Sequence, residues 1–206
     1  MNKTGLPPDN DARIAGVKLA SFISFIGHPL LTFPLFSIIV LFTHEAFQKA
    51  LLHASFIIIG IFLPVIVKMY RNTKSGTYTN FDVSDKMQRQ SWYVFAIVVL
   101  LIVTIFLFAT GQPQPMSMGV LFSLILLIVS KIINYFIKSS LHVSLNIFLS
   151  FLILPMNVVI GLFFLFFTIL IAWARITLKR HNFKEVLAGA GIGFTIGIIS
   201  LFGVHG

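Results

Sequence analysis

The sequence predicts an all-α, polytopic integral membrane bundle of about six to seven transmembrane helices, built as a single domain over residues 1–206. Three observations carry that prediction. Hydrophobic residues make up 57% of the chain and charged residues only 10%, with a mean hydropathy of +0.98. A soluble domain carries about 25% charged residues, so lipid is the solvent for most of this surface. Apolar runs of about 20 residues, the length that crosses a hydrocarbon core, recur along the whole chain. No segment alternates apolar and polar residues as a barrel strand would. There is no cysteine, which excludes disulfide frameworks and thiolate chemistry.

Taken in order, residues 1–19 form a polar segment containing Pro7-Pro8, Asp9 and Asp11. It lacks the basic-then-apolar pattern of a cleaved signal peptide, so the first apolar span is expected to stay as an anchor. That span covers 20–43, and its His28-Pro29 predicts a kink whose freed carbonyl finds another donor. The second span, 50–69, ends at the turn signal Asn72-Thr73-Lys74-Ser75-Gly76. The third, 92–110, ends at Gly111-Gln112-Pro113-Gln114-Pro115. The fourth, 116–137, carries Lys131 and Asn134 three residues apart. A short fifth span at 141–155 is split from the sixth, 157–174, at Pro155-Met156-Asn157. The seventh, 185–203, contains Gly189, Gly193 and Gly197 at four-residue spacing, a stripe that predicts close helix packing.

Following seven crossings from the N-terminus, the loop 70–91 and the junctions 138–141 and 175–184 fall on one side. All 15 lysines and arginines except Lys49 fall there too. The positive-inside rule makes that side cytoplasmic, with a bacterial inner membrane the expected location. The net charge of +9 is thus a topology signal and a lure for anionic headgroups, not a nucleic-acid footprint.

The chemistry-bearing residues collect on the same side. His181 and Glu185 are four apart and share a helix face, so the acid can hold one ring nitrogen and leave the other free. Arg175 supplies a cationic fork suited to a phosphoryl group. The fold-back brings Ser139-Ser140-Leu141-His142 to this face. A neutral histidine oriented by an acid is a competent nucleophile, a second histidine can protonate a leaving oxygen, and cationic side chains can neutralise phosphoryl oxygens without a metal.

These segments resemble the phosphatidic acid phosphatase type 2 superfamily, whose signatures are K-x6-R-P, P-S-G-H and S-R-x5-H-x3-D. Ala174-Arg175, His181 and Glu185 match the third, and Ser139 to His142 the second. The resemblance covers roughly the last two-thirds of the chain. It implies His181 as nucleophile, Glu185 as its orienting acid, His142 as general acid, and Arg175 and Ser140 as phosphate ligands, with no cofactor or metal. For the first signature the comparable cluster is Asp82-Val83-Ser84-Asp85-Lys86-Met87-Gln88-Arg89, and Lys86 and Arg89 are assigned to it as phosphate ligands. The chain departs from the pattern at Ala174, which removes a hydroxyl, at Leu141, which replaces a glycine, and at Glu185, one methylene longer than aspartate.

Blander roles compete. Lys138, Lys179, Arg180 and Lys184 read as snorkelling anchors. Lys131 is an intramembrane lysine that either snorkels or serves a site. The function these residues predict is hydrolysis of a lipid phosphate or diphosphate, with isoprenoid diphosphates, phosphatidic acid and phosphatidylglycerol phosphate all fitting. A non-catalytic homologue that binds or transports lipid phosphates is the alternative. A prenyltransferase would need two aspartate-rich metal sites, and Asp82 with Asp85 supplies only one pair.

Overall fold

The computed structural model describes residues 8–83 and 85–205. Residues 1–7 of the expected polar segment lie outside that range, and its remainder is already helical. Helix α1 (Pro8–Ile26) runs to Gly27-His28 and α2 (Pro29–His44) departs from it with a bend of 46°. Proline at the first position of α2 lacks the N–H a continuous helix would need, and His28 Nδ1 accepts from the Leu30 N–H at 3.1 Å to cap the new start. The predicted kink is therefore present. The Gly27 carbonyl at the bend accepts from Asn146 Nδ2 at 3.0 Å, a donor on a distant helix.

Helix α3 (Phe47–Ile57) continues through a π-helical turn, Ile58–Phe62, into α4 (Leu63–Lys74). The π turn falls just before Pro64, which has no N–H to return to the preceding turn. Asp85 caps α5 (Lys86–Ala109), its Oδ1 accepting from the Met87 and Gln88 N–H groups at 2.9 Å. Gly111, with φ of 61°, reverses the chain into α6 (Gln114–Ile133).

The turn expected at Pro155-Met156-Asn157 divides α7 (Leu141–Ile153) from α8 (Val158–Thr177), with Asn157 Oδ1 accepting from the Ile160 N–H. Helix α9 (Phe183–His205) closes the chain. Among the described residues the fold is entirely helical. Five helices are long and apolar enough to cross a membrane, counting α3 through α4 as one, or six when the bent α1–α2 pair is a span. Helix α7, with 13 residues, rises about 20 Å, short of a hydrocarbon core of about 30 Å. The fifth expected span is thus the short helix, and it is the most enclosed of the set: His142 to Ser150 are all buried.

Helix α7 owes its burial to the glycine stripe. A Cβ at Gly189 would meet the Ser140 carbonyl oxygen at 2.5 Å, one at Gly193 the Ser144 carbonyl oxygen at 2.5 Å, and one at Gly197 the Phe151 ring. Rising numbers meet rising numbers, so α7 and α9 run parallel and backbone against backbone. Their N-terminal ends lie side by side, where Ser140 N–H donates to the Glu185 carbonyl at 3.1 Å. Gly161 lies against Leu154 in the same way and tightens the α7–α8 turn. Helix α1 lies along α8, with Gly27 against Ile171.

Candidate functional site: a buried charge cluster at one end of the bundle

The start of α5, the junction 134–140 and the turn 178–182 meet at one end. Lys86 Nζ donates to the Tyr135 carbonyl at 2.9 Å, Arg89 NH1 to the Ser139 carbonyl at 2.9 Å, and Lys138 Nζ to the Arg180 carbonyl at 2.9 Å. The segments predicted to share a face do share one.

His181 and Glu185 form the pair their spacing predicts. The His181 Nδ1 and Glu185 Oε2 atoms are 2.9 Å apart. Glu185 Oε2 also accepts from the Asn182 N–H at 3.3 Å, while Asn182 Oδ1 accepts from the Glu185 N–H at 2.9 Å. That reciprocal pattern is a capping box for α9, so Glu185 has a structural task alongside its contact with the imidazole. With the proton on Nδ1 donated to the carboxylate, His181 Nε2 is buried without a well-aligned hydrogen bond, and the Lys138 backbone lies against the ring and favours its charged form, an effect that burial and the nearby cations outweigh. Burial, then the positive charges of Arg89, Arg175 and Lys138, push the His181 pKa from 6.5 to about 2, so the ring is neutral. Burial, then Arg89, lowers Lys138 from its ordinary value.

Arg175 is 2% exposed at the end of α8. Its carbonyl accepts from the N–H groups of Arg180 and His181, which folds the α8–α9 turn back over it. Its guanidinium meets Asp82 rather than open space: NH1 stands 2.6 Å from Asp82 Oδ2 and donates to Ser24 Oγ at 3.0 Å. The other Asp82 oxygen, Oδ1, faces His142 Nε2 at 3.4 Å and His28 Nε2 at 3.6 Å. The two imidazoles stand edge to face with centroids 4.8 Å apart. Asp82 lies in the loop between α4 and α5, which is pinned by Tyr78 and Val83 packing on Val65 and Met69. Val83 adopts φ of 45°, a left-handed conformation that a β-branched residue rarely takes, and its carbonyl accepts from Arg89 Nε at 3.3 Å.

The residues expected at the site divide accordingly. His142, Arg175 and Arg89 are buried in the cluster, and His181 with Glu185 sits beside it through Ser140. Ser140 is fully buried with Oγ unpartnered, as is Ser139. Lys86 is exposed and tied to the Tyr135 carbonyl. Sequence reasoning did not find His28, Asp82 or Ser24. His28 was read as a kink residue, which it also is. In sequence Asp82 stands as an acidic pair with Asp85 and heads the cluster that ends at Arg89, yet Asp85 caps α5 while Asp82 turns inward to Arg175. Nothing in local spacing announces the Asp82–Arg175 contact.

His28 Nε2, Asp82 Oδ1 and His142 Nε2 lie within 4.8 Å of one another, close enough for three ligands of one cation. The tautomer of His28 opposes that use. Its Nδ1 accepts the Leu30 N–H, so the ring proton sits on Nε2, which is then a donor toward an anion. Arg175 beside the carboxylate makes the seat still less welcoming to a cation. Arg175, His28 and His142 thus surround the Asp82 carboxylate. No family model, curated protein or solved structure matches this chain.

Proposed function

We propose that the protein is an integral membrane lipid phosphatase acting on a lipid phosphate or diphosphate. The observation that carries this reading is the buried His181–Glu185 pair, with Nδ1 held by the carboxylate, set next to buried Arg175, Arg89 and His142. In the proposed reaction His181 Nε2 forms a bond to phosphorus as the ester P–O bond breaks, and His142 gives its proton to the departing oxygen. Glu185 stabilises the charge gained by the imidazole, and Arg175 and Arg89 that on the phosphoryl oxygens. Water, losing a proton to His142, then cleaves the phosphohistidine. A cavity of about 330 Å³ between α7, α8 and α9 supports a lipid substrate. It is an open apolar groove lined by Val143, Ile147, Leu165, Ile169, Val186 and Phe194.

A second reading, lipid-phosphate binding without turnover, is favoured by one contact, the occupation of Arg175 by Asp82. Phosphate release from isoprenoid diphosphate, phosphatidic acid and phosphatidylglycerol phosphate by detergent-purified protein separates the two. Release of phosphate that is lost in His181→Ala supports the hydrolase. Lack of turnover on every substrate, with lipid phosphate still bound, supports the binding protein.

A further inference from the structure

We propose that Asp82 is a built-in occupant of an anion seat formed by Arg175, His28 and His142, and that a phosphate group enters by displacing it. The proposal rests on the reading of this cluster as a phosphate site and supplies its regulation. A buried guanidinium without a counter-charge is strongly destabilising, so a seat of this kind cannot stand empty in a folded protein. Asp82 Oδ2, 2.6 Å from Arg175 NH1, provides the charge at rest.

The fit is incomplete in a way that points to a larger anion. Asp82 Oδ1 is buried and accepts no hydrogen bond, because both imidazole nitrogens stand just beyond productive reach at 3.4 and 3.6 Å. His142 Nε2 and Arg175 Nε are likewise buried and unpartnered. A planar carboxylate has two oxygens and leaves these groups wanting, whereas a tetrahedral phosphate brings more oxygens to the same neighbourhood. His28 Nε2 carries its proton toward the seat because Nδ1 is committed to the Leu30 N–H.

The occupant is also held under tension. Val83, next to Asp82, is a valine at φ of 45°, and Arg89 fastens its carbonyl with Nε while NH1 holds the Ser139 carbonyl. Arg89 therefore clamps the loop to the start of α7. Withdrawal of Asp82 frees Val83 to relax, which offsets part of the cost of breaking the Arg175 contact.

The test is binding of inorganic phosphate to purified full-length protein in detergent, read by Trp92 fluorescence, since Trp92 lines the cavity with Asp82, His28 and His142. Trp173→Phe removes the other tryptophan. Asp82→Asn is expected to tighten phosphate binding at least tenfold, and Arg175→Gln to abolish it. Val83→Gly, which removes the strain of the seated state, is expected to weaken binding several-fold. This opposite sign keeps the idea testable if Asp82 variants fold poorly. Equal or weaker binding by folded Asp82→Asn, or tighter binding by Val83→Gly, overturns the proposal. Stoichiometric Zn²⁺ binding that depends on His28, Asp82 and His142 overturns it in favour of a metal centre. Lipid phosphate turnover without the Asp82→Asn effect removes this inference and leaves the hydrolase standing, while the effect without turnover does the reverse.

Discussion

Glu185 serves two masters at the residue scale, and the two roles separate by substitution. Glutamine keeps the capping box, which accepts either side chain at that position, but removes the charge that steadies an imidazolium. Glu185→Gln is therefore expected to keep the thermal unfolding midpoint within a few degrees while phosphate release falls by orders of magnitude. Loss of both together would mean the residue is only a cap. For His181 the pH dependence has a definite sign. Its folded pKa lies below the unfolded value of 6.5, so below pH 6.5 the unfolded chain takes up a proton that the folded chain refuses. Stability is expected to be flat above pH 7 and to decline progressively as pH falls from about 6.5 toward the folded value near 2. Histidine ¹⁵N chemical shifts at pH 5 should include a neutral ring whose signal vanishes in His181→Gln. The His181–Glu185 pair was legible because a helix places residues four apart on one face. Asp82 was not, because its partner Arg175 comes from a far stretch of chain and only the assembled fold brings them together.

At the scale of elements, the seam between α7 and α9 decides whether the site exists. Added atoms at Gly193 must push against the Ser144 carbonyl, a piece of backbone with no flexible end to yield. Gly193→Val is expected to lower the unfolding midpoint by an amount equivalent to about 1–3 kcal/mol and to reduce phosphate binding. Gly191→Ala, where a Cβ meets nothing within 4 Å, should change neither. A harmless Gly193→Val would show that the helices are not in backbone contact. The stripe was visible as a four-residue repeat, and so was the kink at His28-Pro29. The helical character of 8–19 was not, because Asp9, Asp11 and two prolines read as a polar tail, whereas Pro8 sits at the start of a helix, where proline is tolerated. The shortness of α7 was legible from its apolar run, but its complete enclosure depends on neighbours that sequence periodicity does not name.

For the whole molecule, charge asymmetry gives the orientation. With Lys49 alone on the far side, the cluster-bearing end is expected to face the cytoplasm. Single cysteines at Ser75 and Gln112 in intact cells test this: an impermeant thiol reagent should label position 112 and spare position 75. The reverse pattern would place the candidate site outside. The all-helical membrane character and the meeting of the three basic segments followed from hydropathy and turn signals, whereas seven expected spans reduce to five or six because α7 is too short to cross. What escaped was the identity of the group that faces Arg175, because one acid among polar loop residues is indistinguishable from a solvated one.

The cluster draws on both ends of the chain, and that has a consequence in time. His28, Asp82 and Arg89 are synthesised before the turn at Gly111, whereas His142, Arg175 and His181 come after it. A nascent chain fills the membrane from its N-terminus, so Asp82 is in place before the guanidinium it will neutralise. Helix α9, made after these, carries Glu185 and meets α7 through glycines. The chain thus acquires Asp82 before Arg175, and Arg175 before His181.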